Sequence, residues 1–221
     1  DDSTGGDDTI TAGDEDNAFV GGAGSDNITA GAGDDQIIGD HGRLLYSSDG
    51  SLITAEATLE SFGANEQITA GEGDNLVIAG RGADTVTGGS GNDIVLGDGG
   101  KVTFDELTGD RVSVATGDSS SGGDDRITLI GGDNVVMAGL STNDADNATN
   151  GDSISTGSGD DIIIGDHGEL LYQNGVLTTI RTTKPGSGGE DSVVAGNGTN
   201  IVLLGDGDDQ AIVGVNIDVV V

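Results

Sequence analysis

The stretch GAGSDNITAGAGDDQIIG, residues 22–39, contains one nine-residue pattern twice. Each copy has Gly at its first and third positions, Asp at its fifth and Ile at its seventh. Glycine readily adopts positive φ angles, and side chains along a strand point alternately to opposite faces. We therefore expect each nonapeptide to form a tight turn followed by a three-residue strand whose middle side chain points inward.

The same frame recurs along the chain, with an acidic residue or Asn at the fifth position of every unit. It covers residues 4–39, 62–97, 121–138 with 148–165, and 187–221. A fixed short period is the signature of a solenoid. The sequence predicts an all-β fold, a parallel β-roll with two strands per coil.

Side chains at the fifth position would stack coil above coil along the two edges of such a roll. Stacked carboxylates repel unless a cation neutralises them, and calcium accepts many oxygen ligands in a flexible geometry. Magnesium demands a stricter octahedron, and the chain lacks Cys and has 2 His for transition metals. The predicted ligands are Asp8, Asp26, Asp35, Asp84, Asp93, Asp125, Asp152, Asp161, Asp191, Asp209, Asp218, Asn17, Asn75, Asn134 and Asn200.

The four Asn residues all lie in the second unit of a block, so one edge alternates Asn with Asp. The calcium sites on that edge should therefore differ in affinity, with some of them weak or empty. Unbroken stacking on both edges would provide up to about fourteen inter-turn sites. Their charge would nearly cancel the formal net charge of −33.

Composition excludes several classes of protein. The chain has 40 acidic and 7 basic residues, 2% aromatics and no Cys, which is close to the composition of a disordered chain. We expect no nucleic-acid partner, because the charge is repulsive, and no membrane insertion, because apolar runs are short. An acidic, Cys-free chain suits a calcium-rich exterior.

The strand residues that flank the inward position are polar in odd units and apolar in even units. One sheet should therefore face water while the other needs a cover. Insertions at about 40–61, 98–120 and 166–186 carry hairpin signals and would supply that cover. The predicted modules of this single solenoid domain are residues 4–61, 62–120, 121–186 and 187–221, with a loop at 139–147.

Two insertions begin with nearly identical sequences, GDDQIIGDHGRLLY at 33–46 and GDDIIIGDHGELLY at 159–172. Two interpretations of the Asp-His pair in each sequence are open: a catalytic dyad, or the boundary between the repeats of a module and its insertion. The matching boundary in the second module reads GDGG, and no nucleophile motif accompanies any of them. We expect boundaries and no catalytic residues, with Asp40, Asp98 and Asp166 acting as calcium ligands or as turn caps.

The units GAGDDQIIG (31–39) and GSGNDIVLG (89–97) resemble the nonapeptide of the repeats-in-toxin (RTX) calcium-binding family. The resemblance covers roughly two-thirds of the chain. It implies a right-handed parallel β-roll, calcium between neighbouring turns, and secretion. Asn17, Asn75, Asn134 and Asn200 depart from the family pattern.

These features predict a non-enzymatic, calcium-dependent structural module of a secreted or cell-surface protein: an adhesin, a surface-layer protein or an extracellular filament. Its expected partners are calcium and further modules or identical subunits stacked end to end. One alternative is a calcium-binding appendage of a secreted enzyme. A second is an ice-binding face made by the exposed Thr ladder.

Overall fold

A computed structural model describes residues 5–59, 62–117, 122–141, 151–186, 188–216 and 218–221. Within these ranges the chain forms twenty-two β-strands and no helix, and therefore no helical membrane span. The strands form three sheets, two of eight strands and one of six. Most of the predicted loop at 139–147 lies outside the described residues.

The two eight-stranded sheets are parallel, and each coil of the chain contributes one strand to each. The outer sheet, in spatial order, consists of β1 (Thr9–Thr11), β3 (Asn27–Thr29), β7 (Gln67–Gly71), β9 (Thr85–Gly88), β13 (Arg126–Thr128), β15 (Ser153–Ser155), β19 (Ser192–Val194) and β21 (Gln210–Ile212). The covered sheet consists of β2 (Ala18–Val20), β4 (Gln36–Ile38), β8 (Leu76–Ile78), β10 (Ile94–Leu96), β14 (Val135–Met137), β16 (Ile162–Ile164), β20 (Ile201–Leu203) and β22 (Val219–Val220). The predicted all-β roll is confirmed.

The stacking is in register, so equivalent positions of successive coils are direct neighbours. Ile28 pairs with Ile10 on one side and Ile68 on the other. The middle side chains of both sheets meet in one apolar core, where Ile37, Val86 and others are fully buried. Eight coils at about 4.8 Å per strand spacing make a roll roughly 34 Å long.

The three insertions form one continuous antiparallel sheet, the hairpin sheet, and not three separate hairpins. Its strands are β5 (Gly42–Tyr46), β6 (Leu52–Ala57), β11 (Gly100–Phe104), β12 (Arg111–Thr116), β17 (Gly168–Gln173) and β18 (Val176–Thr182). Each hairpin pairs with the next one, β6 with β11 and β12 with β17.

The period of the insertions has a geometric reason. A module supplies two strands to each sheet of the roll and one two-stranded hairpin to the hairpin sheet. All three sheets therefore advance by the same two strand spacings, about 10 Å, per module. A hairpin after every fourth nonapeptide keeps the layers in step.

The hairpin sheet covers the apolar outer face of the covered sheet, as the alternation of polar and apolar strands predicts. Leu96, Met137 and Ile164 of the roll are fully buried against Val114 and Leu170 of the hairpins. Burial of such side chains is worth about 1.5–3 kcal/mol each. The hairpins thus supply apolar contacts that a chain with so few large side chains otherwise lacks.

Each edge of the roll is a column of turns, which we name by the fifth-position residue that precedes each strand. The first edge leads from the outer to the covered sheet through Asn17, Asp35, Asn75, Asp93, Asn134, Asp161, Asn200 and Asp218. The second edge leads back to the outer sheet through Asp8, Asp26, Glu66, Asp84, Asp125, Asp152, Asp191 and Asp209.

Candidate metal centre

Fifth-position side chains form a hydrogen-bonded ladder on each edge. From the second turn of each column onward, one side-chain oxygen of every fifth-position residue except Glu66 accepts the backbone N–H of the fifth residue in the preceding turn, at 2.7–3.1 Å. On the second edge, for example, Asp125 Oδ1 accepts from the Asp84 N–H at 2.8 Å. These hydrogen bonds orient the carboxylates of the ladder along the axis of the roll. The second oxygen of each such carboxylate therefore also lies at the junction between turns.

On the second edge these second oxygens are buried without a hydrogen-bond partner. A buried carboxylate oxygen in this state is unfavourable unless a positive charge or a proton satisfies it. The atoms concerned are Asp26 Oδ2, Asp84 Oδ2, Asp125 Oδ2, Asp152 Oδ2 and Asp191 Oδ2, together with both Oε1 and Oε2 of Glu66. The first edge has two such atoms, Asp35 Oδ2 and Asp93 Oδ2.

Burial also changes the acidity of these groups. Desolvation, together with the charges of neighbouring carboxylates, raises the pKa of Asp191 to about 7. The pKa values of Asp125 and Asp152 lie well above the ordinary Asp range, first because of burial and then because of each adjacent acidic turn. Burial and the charge of Asp84 likewise raise the pKa of Glu66. The second edge therefore favours any species that brings positive charge.

The donors on this edge suit a hard cation. The described residues contain no compact group of three or more His, Cys, Asp or Glu side chains. A bound ion would therefore combine carboxylate oxygens with backbone carbonyls of the glycine-rich turns, the mixed oxygen set that calcium accepts. The buried, partnerless oxygens of the second edge fit calcium, and in its presence they would contribute negative charge and ligand atoms.

Glycine at the third position allows successive turns to approach closely. Gly132 has φ +98°, and a Cβ atom there would lie 1.8 Å from the carbonyl oxygen of Gly91 in the preceding turn. The same overlap would occur at Gly159, 1.9 Å from the oxygen of Gly132. A side chain at these positions would force the turns, and the carboxylates they carry, apart.

A second ladder, at the fourth position, was not predicted from the sequence. Asp34 Oδ1 accepts from the Asp74 N–H at 2.8 Å, and Asp74 Oδ1 accepts from the Asn92 N–H at 2.7 Å. These side chains reach toward the following turn, whereas fifth-position side chains reach toward the preceding one. Six junctions of the first edge are lined from both sides in this way, and two of the second edge. The recurrent Asp-Asp pairs in the sequence are the signal that was available.

The boundary residues Asp40, Asp98 and Asp166 act as turn caps across the insertions. Asp40 Oδ2 accepts the N–H of Arg81 at 2.6 Å, and Asp166 Oδ2 accepts the N–H of Asp206 at 2.6 Å. Burial raises the pKa of Asp40 and of Asp166 to about 7. Each carboxylate therefore joins the coil before an insertion to the coil after it, and a calcium-ligand role for these residues stays a prediction.

The two Asp-His pairs lie at the start of hairpins. The imidazole Nδ1 of His167 is 3.1 Å from Thr116 Oγ1, a residue of the neighbouring hairpin. His167 is buried at 1% exposure. This contact connects two modules of the hairpin sheet.

Comparison with known proteins agrees with this geometry. The profile of the RTX calcium-binding nonapeptide repeat matches four times, over residues 2–37, 63–103, 148–169 and 186–219. No curated protein and no solved structure gives a significant match. The four matches cover more than half of the chain and lie largely within the blocks of repeats, although the units at 121–138 are not matched. Proteins with these repeats bind calcium and are typically extracellular. The chain therefore belongs to the family of RTX calcium-binding nonapeptide repeat proteins.

Proposed function

We propose that this protein is a non-enzymatic structural module of a secreted or cell-surface assembly, an adhesin, surface layer or filament, which becomes a stiff rod when it binds calcium. The observation that carries the proposal is the column of buried Oδ2 atoms on the second edge. Those atoms tie the stability of the whole roll to a cation, because every coil contributes one turn to that edge.

The protein's 7 basic residues are too few to neutralise its edges, because 40 residues are acidic. Of the 7 basic residues, most lie in the insertions. The ion pairs of Arg43 with Glu56, Lys101 with Glu56, and Arg181 with Glu169 all lie on the hairpin sheet. The charge of the turns must therefore be offset from solution, which makes the fold responsive to calcium concentration.

The architecture suits a load-bearing role. Three sheets run in step along the roll, and their hydrogen bonds are aligned with its long axis. Stability in such an array is a sum of nearest-neighbour terms, so modules can be joined end to end without a change in local structure. Further modules of the same chain, or identical subunits, are the proposed partners.

The test is a calcium titration of the purified chain, followed by circular dichroism and small-angle X-ray scattering. With a strong chelator we expect a disordered spectrum and a radius of gyration near the unfolded value of about 50 Å. With calcium we expect β signal and a radius of gyration of roughly 17 Å. Magnesium at the same concentration is the control and should order the chain less. An unchanged β spectrum in chelator would contradict the proposal.

A further inference from the structure

The asparagines of the first edge differ from the aspartates of the second in what they bind. The Nδ2 group of Asn75 donates to the carbonyl oxygen of Gly73 at 3.0 Å. In the equivalent turns, Asn134 Nδ2 donates to Gly132 O at 2.9 Å, and Asn200 Nδ2 donates to Gly196 O at 3.1 Å. Each amide thus points into its own turn and satisfies carbonyl oxygens that face the junction.

The Nδ2 groups of Asn75 and Asn134, but not that of Asn200, also donate to the carboxylate of the following turn. Asn75 Nδ2 lies 3.0 Å from Asp93 Oδ1, and Asn134 Nδ2 lies 2.9 Å from Asp161 Oδ1. Asn17 makes the corresponding bond to Asp35 Oδ1 at 3.0 Å. The amide therefore bridges a glycine carbonyl and a carboxylate of the next coil. These are the two kinds of oxygen that a bridging calcium ion would take.

The orientation of the amides is fixed by their other atom. Asn134 Oδ1 accepts the Asp93 N–H at 3.0 Å, and Asn200 Oδ1 accepts the Asp161 N–H at 3.1 Å. A flipped amide would face an N–H with an NH₂ group and a carbonyl with an oxygen, losing both bonds. Asn75, Asn134 and Asn200 are at most 1% exposed. None of the fifth-position asparagines in the described chain has a buried side-chain atom without a partner.

Fewer carboxylate oxygens of the first edge are buried without a hydrogen-bond partner: two, Asp35 Oδ2 and Asp93 Oδ2, against five Asp Oδ2 atoms and both Glu66 oxygens on the second edge. Asp93 Oδ1 receives two hydrogen bonds from Asn75, one from its backbone and one from its amide. Asp161 Oδ1 receives the same pair from Asn134. The second oxygen of Asp161 accepts from Thr156 Oγ1 at 2.7 Å.

We propose that the side-chain amides of Asn17, Asn75, Asn134 and Asn200 replace calcium on the first edge, so that calcium binds along the second edge alone. Because Asn and Asp alternate, every junction of the first edge contains one Asn, and in three of them its Nδ2 group donates to the carboxylate across the junction. The amide N–H brings positive partial charge to oxygens that a cation would otherwise bind, and a neutral Asn adds no negative charge to attract one. The eight turns of the second edge have seven junctions, so the capacity is at most about seven ions and not fourteen.

This inference rests on the proposed function for calcium binding itself. It adds that the two edges are stabilised differently, one by side-chain amides and the other by calcium. On the first edge, hydrogen bonds from neutral side-chain amides to the carboxylates of the next coil help to hold the turns together. The second edge holds its turns together only when positive charge is supplied. Calcium therefore stabilises the turns of the second edge, whereas hydrogen bonds between neighbouring turns stabilise those of the first edge.

The test is to count and locate ions in the full chain. Native mass spectrometry at saturating calcium should give at most seven bound ions. Crystals grown with a lanthanide substituted for calcium should show anomalous peaks beside Asp84, Asp125 and Asp152, and none beside Asn75 or Asn134. The double variant Asn75→Asp/Asn134→Asp should bind at least one additional ion. The matched control is Asn27→Asp, the same chemical change at an exposed strand position, which should leave the count unchanged.

The outcomes separate the two proposals. Peaks on both edges, or a count near fourteen, would overturn the inference and leave the calcium-dependent function intact. Absence of any bound ion would overturn both. If the double variant does not fold, the ion positions in the unaltered protein decide by themselves.

Discussion

Because the turns stack closely, we expect that adding one methyl group at a turn glycine will lower the free energy of unfolding considerably. In Gly132→Ala, the new Cβ would lie 1.8 Å from the carbonyl oxygen of Gly91, where carbon and oxygen prefer about 3.5 Å. The turn would have to move by more than 1 Å. It would then weaken its bond from the Gly132 N–H to the Ser158 carbonyl, now 2.9 Å, and the bond from the Gly91 N–H to the Gly131 carbonyl, now 3.3 Å.

The expected cost follows from two terms. An Ala at φ +98° costs roughly 1–2 kcal/mol relative to Gly. Two weakened hydrogen bonds add about 0.5–1.5 kcal/mol each. We expect Gly132→Ala to lower the free energy of unfolding by about 2–5 kcal/mol.

The assay is chemical denaturation at one saturating calcium concentration, because bound ligand sets the apparent stability. Gly22→Ala is the matched control: its φ is +109°, but a Cβ there meets nothing within 4 Å. It should cost only the backbone term, about 1–2 kcal/mol. Equal losses in the two variants would refute the reasoning that turn-to-turn contact, and not backbone conformation, requires glycine.

Three further predictions concern the pH dependence of folding without calcium, the apolar contacts of the hairpin sheet, and an ion pair on the surface of that sheet. Without calcium, the pKa values of Asp166 and Asp191 are about 7 in the folded protein and roughly 3.9 in the unfolded chain. Protonation of these two groups therefore stabilises the folded state fully below about pH 4, and this stabilisation is lost as the pH rises through 7. Circular dichroism without calcium should therefore show more β structure near pH 4 than at pH 8, and the reverse trend would contradict this. Leu170→Ala, at a fully buried position, should cost about 2–5 kcal/mol in thermal unfolding; Leu107→Ala, at 94% exposure, should cost less than about 0.5 kcal/mol. Arg181→Ala breaks a mostly exposed ion pair with Glu169 and should change stability by less than about 1 kcal/mol, so a larger loss would show that this pair holds the hairpin sheet together.

The roll was predictable because the repeat constrains every position in the same way each time. A glycine that must turn, an inward aliphatic residue and an acidic fifth position recur at fixed spacing, and identical coils can stack in only one register. The polar and apolar flanks of the strands, such as Thr9 and Thr11 against Leu76 and Ile78, then predicted which sheet needs a cover.

The pairing of hairpins with one another was not predictable from local patterns. Each hairpin signal, such as Asn174-Gly175, specifies its own turn. The contact of β6 with β11 arises because two coils and two hairpin strands have equal rise, a property of the assembled layers. For the same reason the direction of the fourth-position side chains and the second hydrogen bond of Asn75 became clear only when neighbouring turns were in place.

The equal rise of coils and hairpins has a consequence for how such chains can change in length. Loss of a single pair of nonapeptides would leave one hairpin strand without a strand of the covered sheet beneath it, and gain of a pair would leave one strand of the covered sheet uncovered. Duplication of four nonapeptides together with their hairpin keeps all layers aligned. The heritable unit of growth is therefore the whole module of about sixty residues, and chains of this kind should differ in length by multiples of it.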